Sequence, residues 1–239
     1  MLDLNLGLRF AAFTLLLTSI GNLVQSRCNR GCDLALASYY VEQGSYLNSI
    51  SGYMNSTSED IMRYNNRDII PNLDTLPSFV RINVLFRCDC INGEFLGHVF
   101  SYDVRSHDTY HVIAEQRYAN LTTAEWIRRF NSYDRYPIPD NGSINVTVNC
   151  SCGDGSVSRD YGLFVTYPLM EGETLDLVSS SAKLGSDLIR RYNPDANFSA
   201  GSGLVYLPGR DNTRTCLKTN STRYLVWYSY NHPTDPRVP

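Results

Sequence analysis

Three copies of one short signature constrain this chain more than anything else in it. Arg63-Tyr64-Asn65, Arg129-Phe130-Asn131 and Arg191-Tyr192-Asn193 stand 66 and 62 residues apart. Spacing this regular marks a repeated structural unit. Arg81-Ile82-Asn83-Val84 followed by Cys88-Asp89-Cys90 has its counterpart in Ser143-Ile144-Asn145-Val146 followed by Cys150-Ser151-Cys152. The third copy closes on Gly203-Leu204-Val205-Tyr206-Leu207-Pro208, so each copy ends in a short apolar strand.

The residues ahead of each asparagine supply the rest of the unit. Thr122-Thr123-Ala124-Glu125-Trp126-Ile127-Arg128-Arg129-Phe130 reads as an amphipathic helix, with Thr122 or Thr123 as its cap and Trp126, Ile127 and Phe130 on one face. Further upstream, Asp108-Thr109-Tyr110-His111-Val112-Ile113-Ala114 and Glu173-Thr174-Leu175-Asp176-Leu177-Val178 each place a capping residue before another apolar-striped turn. Alternating stretches at Phe100–Val104 and Phe164–Pro168 supply a first strand. The expected class is therefore α+β, built from three strand-helix-helix-strand units at residues 36–87, 98–149 and 161–209. A unit of this size buries little surface alone, so the three are expected to form a clover stapled through their cysteine linkers.

Seven cysteines fall as three pairs, Cys28/Cys32, Cys88/Cys90 and Cys150/Cys152, with Cys216 left over. Structural zinc sites favour wider knuckles, and cysteines one residue apart do not reach disulfide geometry with each other. Bonds running between the pairs leave eight of the fifteen connectivities open, with Cys216 either an idle thiol or a handle for an intermolecular disulfide. The compartment agrees. Residues 1–26 carry Arg9, the apolar run Phe10–Leu17 and Val24-Gln25-Ser26, the pattern of a cleaved signal peptide. Asn-x-Ser/Thr acceptors begin at Asn55, Asn120, Asn141, Asn145, Asn149, Asn197 and Asn220. Asn149 adjoins Cys150, so the expected glycosylation sites are the other six, with Asn145 the least open because it lies in a strand.

A formal net charge of −3 with scattered Lys and Arg offers no basic stripe for nucleic acid or an anionic membrane. Tyrosine, at 17 residues, suits sugar faces but equally suits half-buried strands, which is the expected role of most of them. Glu115 and Glu125 sit at helix spacings typical of solvated faces rather than as an opposed glycosidase pair. His107 and His111 lack a nearby third metal ligand, and no nucleophile elbow or phosphate loop occurs. The expectation is a binding protein without cofactor, metal or catalytic residue.

Four stretches are more specific: Cys32–Tyr40, Asn92–His98, Ala119–Thr123 and Tyr161–Leu169. With the repeat and the Cys-x-Cys spacing, they make residues 28 to about 210 resemble the ectodomain of plant lysin-motif receptor-like kinases, in the branch of chitin-elicitor and Nod-factor receptors. The resemblance implies three tandem lysin motifs packed together and disulfides Cys28 to Cys90, Cys32 to Cys152 and Cys88 to Cys150. It also implies non-catalytic binding of N-acetylglucosamine oligomers outside the cell, with lipochitooligosaccharide binding or a soluble decoy or co-receptor module as alternatives. A second lysin-motif receptor is the implied protein partner. The implied ligand groove lies in the second unit, between the loop bearing His107, Asp108, Thr109, Tyr110 and His111 and the loop bearing Asp134, Arg135, Tyr136, Pro137 and Ile138, with Ala114 and Ala124 beside them. Arg135 is longer than the small residues the family favours there. Residues 210–239 depart from the family pattern, since Thr222–Tyr230 is too short to cross a bilayer, and the chain reads as a truncated or alternatively spliced ectodomain.

Overall fold

The structure, a computed structural model, describes residues 28–74, 76–133, 138–140, 142–152 and 163–209. The signal peptide, Cys216, Asn141, Asn220 and the tail lie outside the described residues. Strand-helix-helix-strand order occurs three times. The first unit is β1 (Cys32–Tyr40), α1 (Leu47–Tyr53), α2 (Ser58–Arg63) and β2 (Arg81–Ile91). The second is β3 (Phe95–Asp103), α3 (Tyr110–Val112) running into a π-helical turn (Ile113–Arg117), α4 (Ala124–Arg129) and β4 (Ser143–Asn149). The third is β5 (Leu163–Pro168), α5 (Leu175–Ala182), α6 (Ser186–Tyr192) and β6 (Leu204–Gly209). Thr57, Thr109, Thr123 and Thr174 each accept a hydrogen bond from the backbone N–H three residues on, which starts α2, α3, α4 and α5.

The units are less separate than a clover. Their strands form one six-stranded sheet in the order β4-β3-β2-β1-β5-β6. Within it β1 runs antiparallel to β2 and parallel to β5, and residues 34–39 are buried on both faces. Ala35, Ala37 and Tyr39 enter a core shared by the first two units, whereas Leu34 and Leu36 enter that of the third. Alternation along one strand thus sorts the buried residues, among those described, into two cores rather than three.

The disulfides join Cys28 to Cys90, Cys32 to Cys152 and Cys88 to Cys150, with Cα separations of 5.6, 5.8 and 5.8 Å. Loops of 62 and 120 residues are closed in this way, each worth about 4 to 5 kcal/mol in the chain-entropy limit. One expectation is corrected here. Cys88-Asp89-Cys90 is not a linker but part of β2, which continues through Ile91 and turns into β3. Asn92 and Gly93 both hold positive φ, and Glu94 N–H donates to the Ile91 carbonyl at 2.9 Å. Asn-Gly is the residue pair that such a reversal favours, because both central positions need left-handed backbone. Asn92-Gly93, within Asn92–His98, is the sequence signal of this hairpin.

The repeated asparagines explain themselves. Asn193 donates to the Ile189 and Tyr206 carbonyls at 2.9 and 2.8 Å and accepts from Tyr206 N–H at 2.7 Å. Asn65 makes the same three bonds with Ile61 and Asn83, and Asn131 with Ile127 and Asn145. Each amide ties a helix end to the closing strand of its unit. Asn193 is buried, whereas the Asn131–Asn145 bonds lie at the surface. Asn193→Ala is therefore expected to cost about 2 to 4 kcal/mol and Asn131→Ala about 1 kcal/mol. Urea unfolding of the two variants measures the difference, and equal losses would remove the clasp as the explanation.

Candidate functional site

In the second unit, the loop after β3 is built around Asp108. Its carboxylate accepts from the Tyr102 hydroxyl at 2.6 Å and from Arg105 N–H at 2.9 Å, and the Arg117 guanidinium lies 3.4 Å away. The side chain is 1 % exposed, so Asp108 holds the loop's shape and does not present a carboxylate at the surface. Thr109 is likewise engaged as the cap of α3, its hydroxyl oxygen accepting from Val112 N–H. Tyr110 is buried and its hydroxyl donates to the Tyr133 carbonyl at 2.9 Å, which ties this loop to the start of the one before β4. Val104 N–H to the Gly142 carbonyl, 2.8 Å, pins the two loops at their other ends.

Exposure divides the expected site residues. His107 and His111 face solvent, His107 in left-handed backbone with φ 69°. His111 lies 3.7 Å from Glu115, both well exposed, so Glu115 belongs to a solvated helix face and not to an enclosed acid pair. Glu125 is exposed as well. Ala114 and Ile138 are buried, and Ala124 is partly so. Asp108, Tyr110, Ala114 and Ile138 thus lie buried beneath the loops, with His107 and His111 above them at the surface. Asp134, Arg135, Tyr136 and Pro137 lie outside the described residues. Cys32, Cys88 and Cys152 cluster closely enough for a metal, but each is in a disulfide and has no thiolate to offer.

Sequence reasoning missed a recurrence. Tyr167 and Glu173 repeat the spacing of Tyr102 and Asp108, and Glu173 accepts from the Tyr167 hydroxyl at 2.6 Å and Met170 N–H at 2.8 Å. Arg81 of the first unit reaches across to Glu173 at 3.1 Å, donates to the Pro168 carbonyl at 2.9 Å and lies over the Tyr167 ring. A tyrosine six residues before a carboxylate, found twice, was the available signal. The missed concavity had none. A cleft of about 410 Å³ lies where the second and third units meet, lined by residues 120–123, Trp126 and Asn149 on one side and by residues 169–171 and 201–204 on the other.

The buried phenols set an alkaline limit. Burial, then hydrogen bonding to a carboxylate, pushes Tyr102 and Tyr167 far above the ordinary phenol range. Burial raises Tyr39 and Tyr118 as well, and pushes Tyr206 up to about 12. A phenol whose folded pKa exceeds its unfolded one contributes stability that is complete below about pH 10 and lost as pH rises towards the folded value. Urea midpoints are expected to fall steeply from about pH 10 upward, with this group of tyrosines ionising only as the chain unfolds. Absorbance titration at the phenolate band checks it; free ionisation of all tyrosines near pH 10 in folded protein would contradict the burial.

A family model described as a LysM domain matches residues 165–208, the third unit. The chain is 48 % identical over 213 residues to LysM domain receptor-like kinase 3 of Medicago truncatula, covering 87 % of this chain and 34 % of that protein. It is 44 % identical over 216 residues to chitin elicitor receptor kinase 1 of Arabidopsis thaliana, covering 87 % of this chain and 35 % of that protein. The chain thus spans about a third of the length of these curated relatives. Among solved structures, the LYK3 ectodomain superposes with a TM-score of 0.74 at 47 % identity, covering 87 % of this chain and all of that one. A second receptor-like kinase ectodomain gives 0.72 at 45 % identity, covering 77 % of this chain and 95 % of that one.

Proposed function

The chain belongs to the lysin-motif receptor-like kinase family and corresponds to its extracellular ectodomain, a ligand-binding module; on that premise we propose that it perceives N-acetylglucosamine oligomers outside the cell without cleaving them. All three units are then lysin motifs, at about 36–87, 98–149 and 161–209, and the second carries the ligand groove. The observation that carries this reading is the pair of loops around β3 and β4, held at a fixed distance by Tyr110 to Tyr133 and by Val104 to Gly142. In this reading, loops braced in this way border a shallow groove whose backbone amides pair with acetamides and whose apolar edge receives their methyls.

His107, His111 and, from the second loop, Asp134, Arg135, Tyr136 and Pro137 are proposed to meet the sugar. Asp108, Thr109, Tyr110, Ala114, Ala124 and Ile138 keep those groups in place. The arginine at 135 narrows the groove in this reading. A second lysin-motif receptor bound on the same oligomer is the proposed protein partner, since a long oligomer spanning two weak sites gains avidity through effective concentration.

Calorimetric titration of the secreted chain with N-acetylglucosamine oligomers of four to eight units is expected to give saturable heat that strengthens with length. Arg135→Ala is expected to tighten binding by about tenfold. A lipochitooligosaccharide arm tests whether an acyl chain adds affinity. Absence of heat with every ligand, from protein shown to be folded, would eliminate direct sugar perception.

A further inference from the structure

The cleft between the second and third units is a separate site from the groove just described. On the third unit it is formed by residues 169–171, after β5, and residues 201–204, leading into β6. Leu169 N–H to the Gly203 carbonyl, 2.9 Å, pins this pair of loops as Val104 to Gly142 pins the pair in the second unit. Gly201 holds φ 65°, and a Cβ there would press on the backbone of Glu171, so glycine is what lets the two loops approach.

Across the cleft, the second unit presents an indole and a carboxamide. Trp126 Nε1 and Asn149 Oδ1 are both buried and neither has a hydrogen-bond partner among the described residues. Both residues line this one cleft, and because the two atoms are themselves covered, a ligand reaches them through a small turn of each side chain toward it. Leaving a buried donor and a buried acceptor unmet is costly, and native proteins leave few such atoms. One donor and one acceptor are the complement of a secondary amide, whose carbonyl takes the indole N–H and whose N–H gives to the carboxamide oxygen. Leu121, Leu169, Met170 and Leu204 supply apolar lining suited to a methyl. That combination describes an acetamido group borne on a polar ring.

Asn120 identifies where such a group comes from. It lines the cleft, is exposed, and begins the acceptor Asn120-Leu121-Thr122. Its φ of 61° is left-handed, a conformation asparagine tolerates. Leu121 and Thr122 are buried, with the Thr122 hydroxyl donating to the Thr147 carbonyl, so transfer of a glycan has to precede folding of this segment. In an N-linked glycan the first sugar is N-acetylglucosamine, and its acetamide sits on the ring carbon next to the one bonded to asparagine. The acetamide therefore stays beside the cleft whatever the rest of the glycan does. Tethering raises its effective concentration to about the millimolar range, which favours it over a dilute free oligomer.

We propose that this cleft is an acetamido-sugar site filled by the first N-acetylglucosamine of a glycan carried on Asn120. The sugar bridges the second and third units, gives Trp126 and Asn149 their missing partners, and closes the third unit's pair of loops to free ligand.

The test uses the full secreted chain. Mass spectrometry should find Asn120 glycosylated, and an endoglycosidase that cuts between the first two sugars of the native protein should act there at least about tenfold more slowly than at Asn55 and Asn197. Ser202→Tyr, at an exposed position on the cleft rim, should bring the Asn120 rate to that of the other two sites. Sources are separated by following the Trp126 indole N–H by NMR while adding N,N′-diacetylchitobiose. Asn120→Gln should respond and the glycosylated chain should not; if the variant is not secreted, chain stripped enzymatically at Asn120 replaces it. Equal response from both forms would assign the cleft to free sugar and overturn the attached one. An unmodified Asn120, equal cutting at the three sites, or slow cutting that Ser202→Tyr leaves unchanged would each overturn the proposal.

Discussion

Three asparagine side chains hold this architecture at corresponding points. An asparagine amide carries a donor and an acceptor at one end, so it imitates a peptide group and pairs with a strand in both directions. At Asn65, Asn131 and Asn193 it does so while also donating to the carbonyl four residues back in the preceding helix, one of the carbonyls at the helix end. Those carbonyls belong to Ile61, Ile127 and Ile189, each fully buried. The clasp thus joins the apolar face of a short helix to the strand that closes its unit. Helices of six or seven residues have little stability of their own, and this docking is what fixes them.

Around the clasps, β1 acts as a shared wall. Being buried on both faces, it makes the third unit's core continuous with the sheet of the first two. The disulfides gather at one end of the same wall. Cys32 and Cys88 face each other across β1 and β2, and each bonds to a cysteine of the 150–152 segment. Gly31 is required beside them, because a Cβ would collide with the Cys88 carbonyl oxygen. Cross-links and the β1–β5 pairing together fix the third unit against the others, and Arg81 adds its reach to Glu173.

That rigidity is what the proposed sugar recognition on a shallow surface requires. A flat groove gains little from enclosure, so its donors and acceptors must already be in place. Tyr102 with Asp108 and Tyr167 with Glu173 provide this by fixing the loop after the first strand in two units. Burial of these phenols is the counterpart of that order and explains why a tyrosine-rich chain spends so many tyrosines on structure.

The sequence alone determined the repeat, the order of strands and helices, the class and the compartment, because these depend on local periodicity, capping residues and cysteine spacing. It narrowed one cap to Thr122 or Thr123 and put another within each of Asp108–Ala114 and Glu173–Val178, where the structure has Thr123, Thr109 and Thr174, and it found the repeated asparagines without explaining them. Only the tertiary structure decided that Asp108, Tyr110, Ala114 and Ile138 face inward, that the first two units share a core, and that Cys88 and Cys90 lie within a strand. It alone brought Asn120, Trp126 and Asn149 up against residues 169–171 and 201–204. Local pattern specifies which residues form an element, whereas the partner each side chain meets depends on packing between segments far apart in the chain, and spacing along one segment carries no record of that.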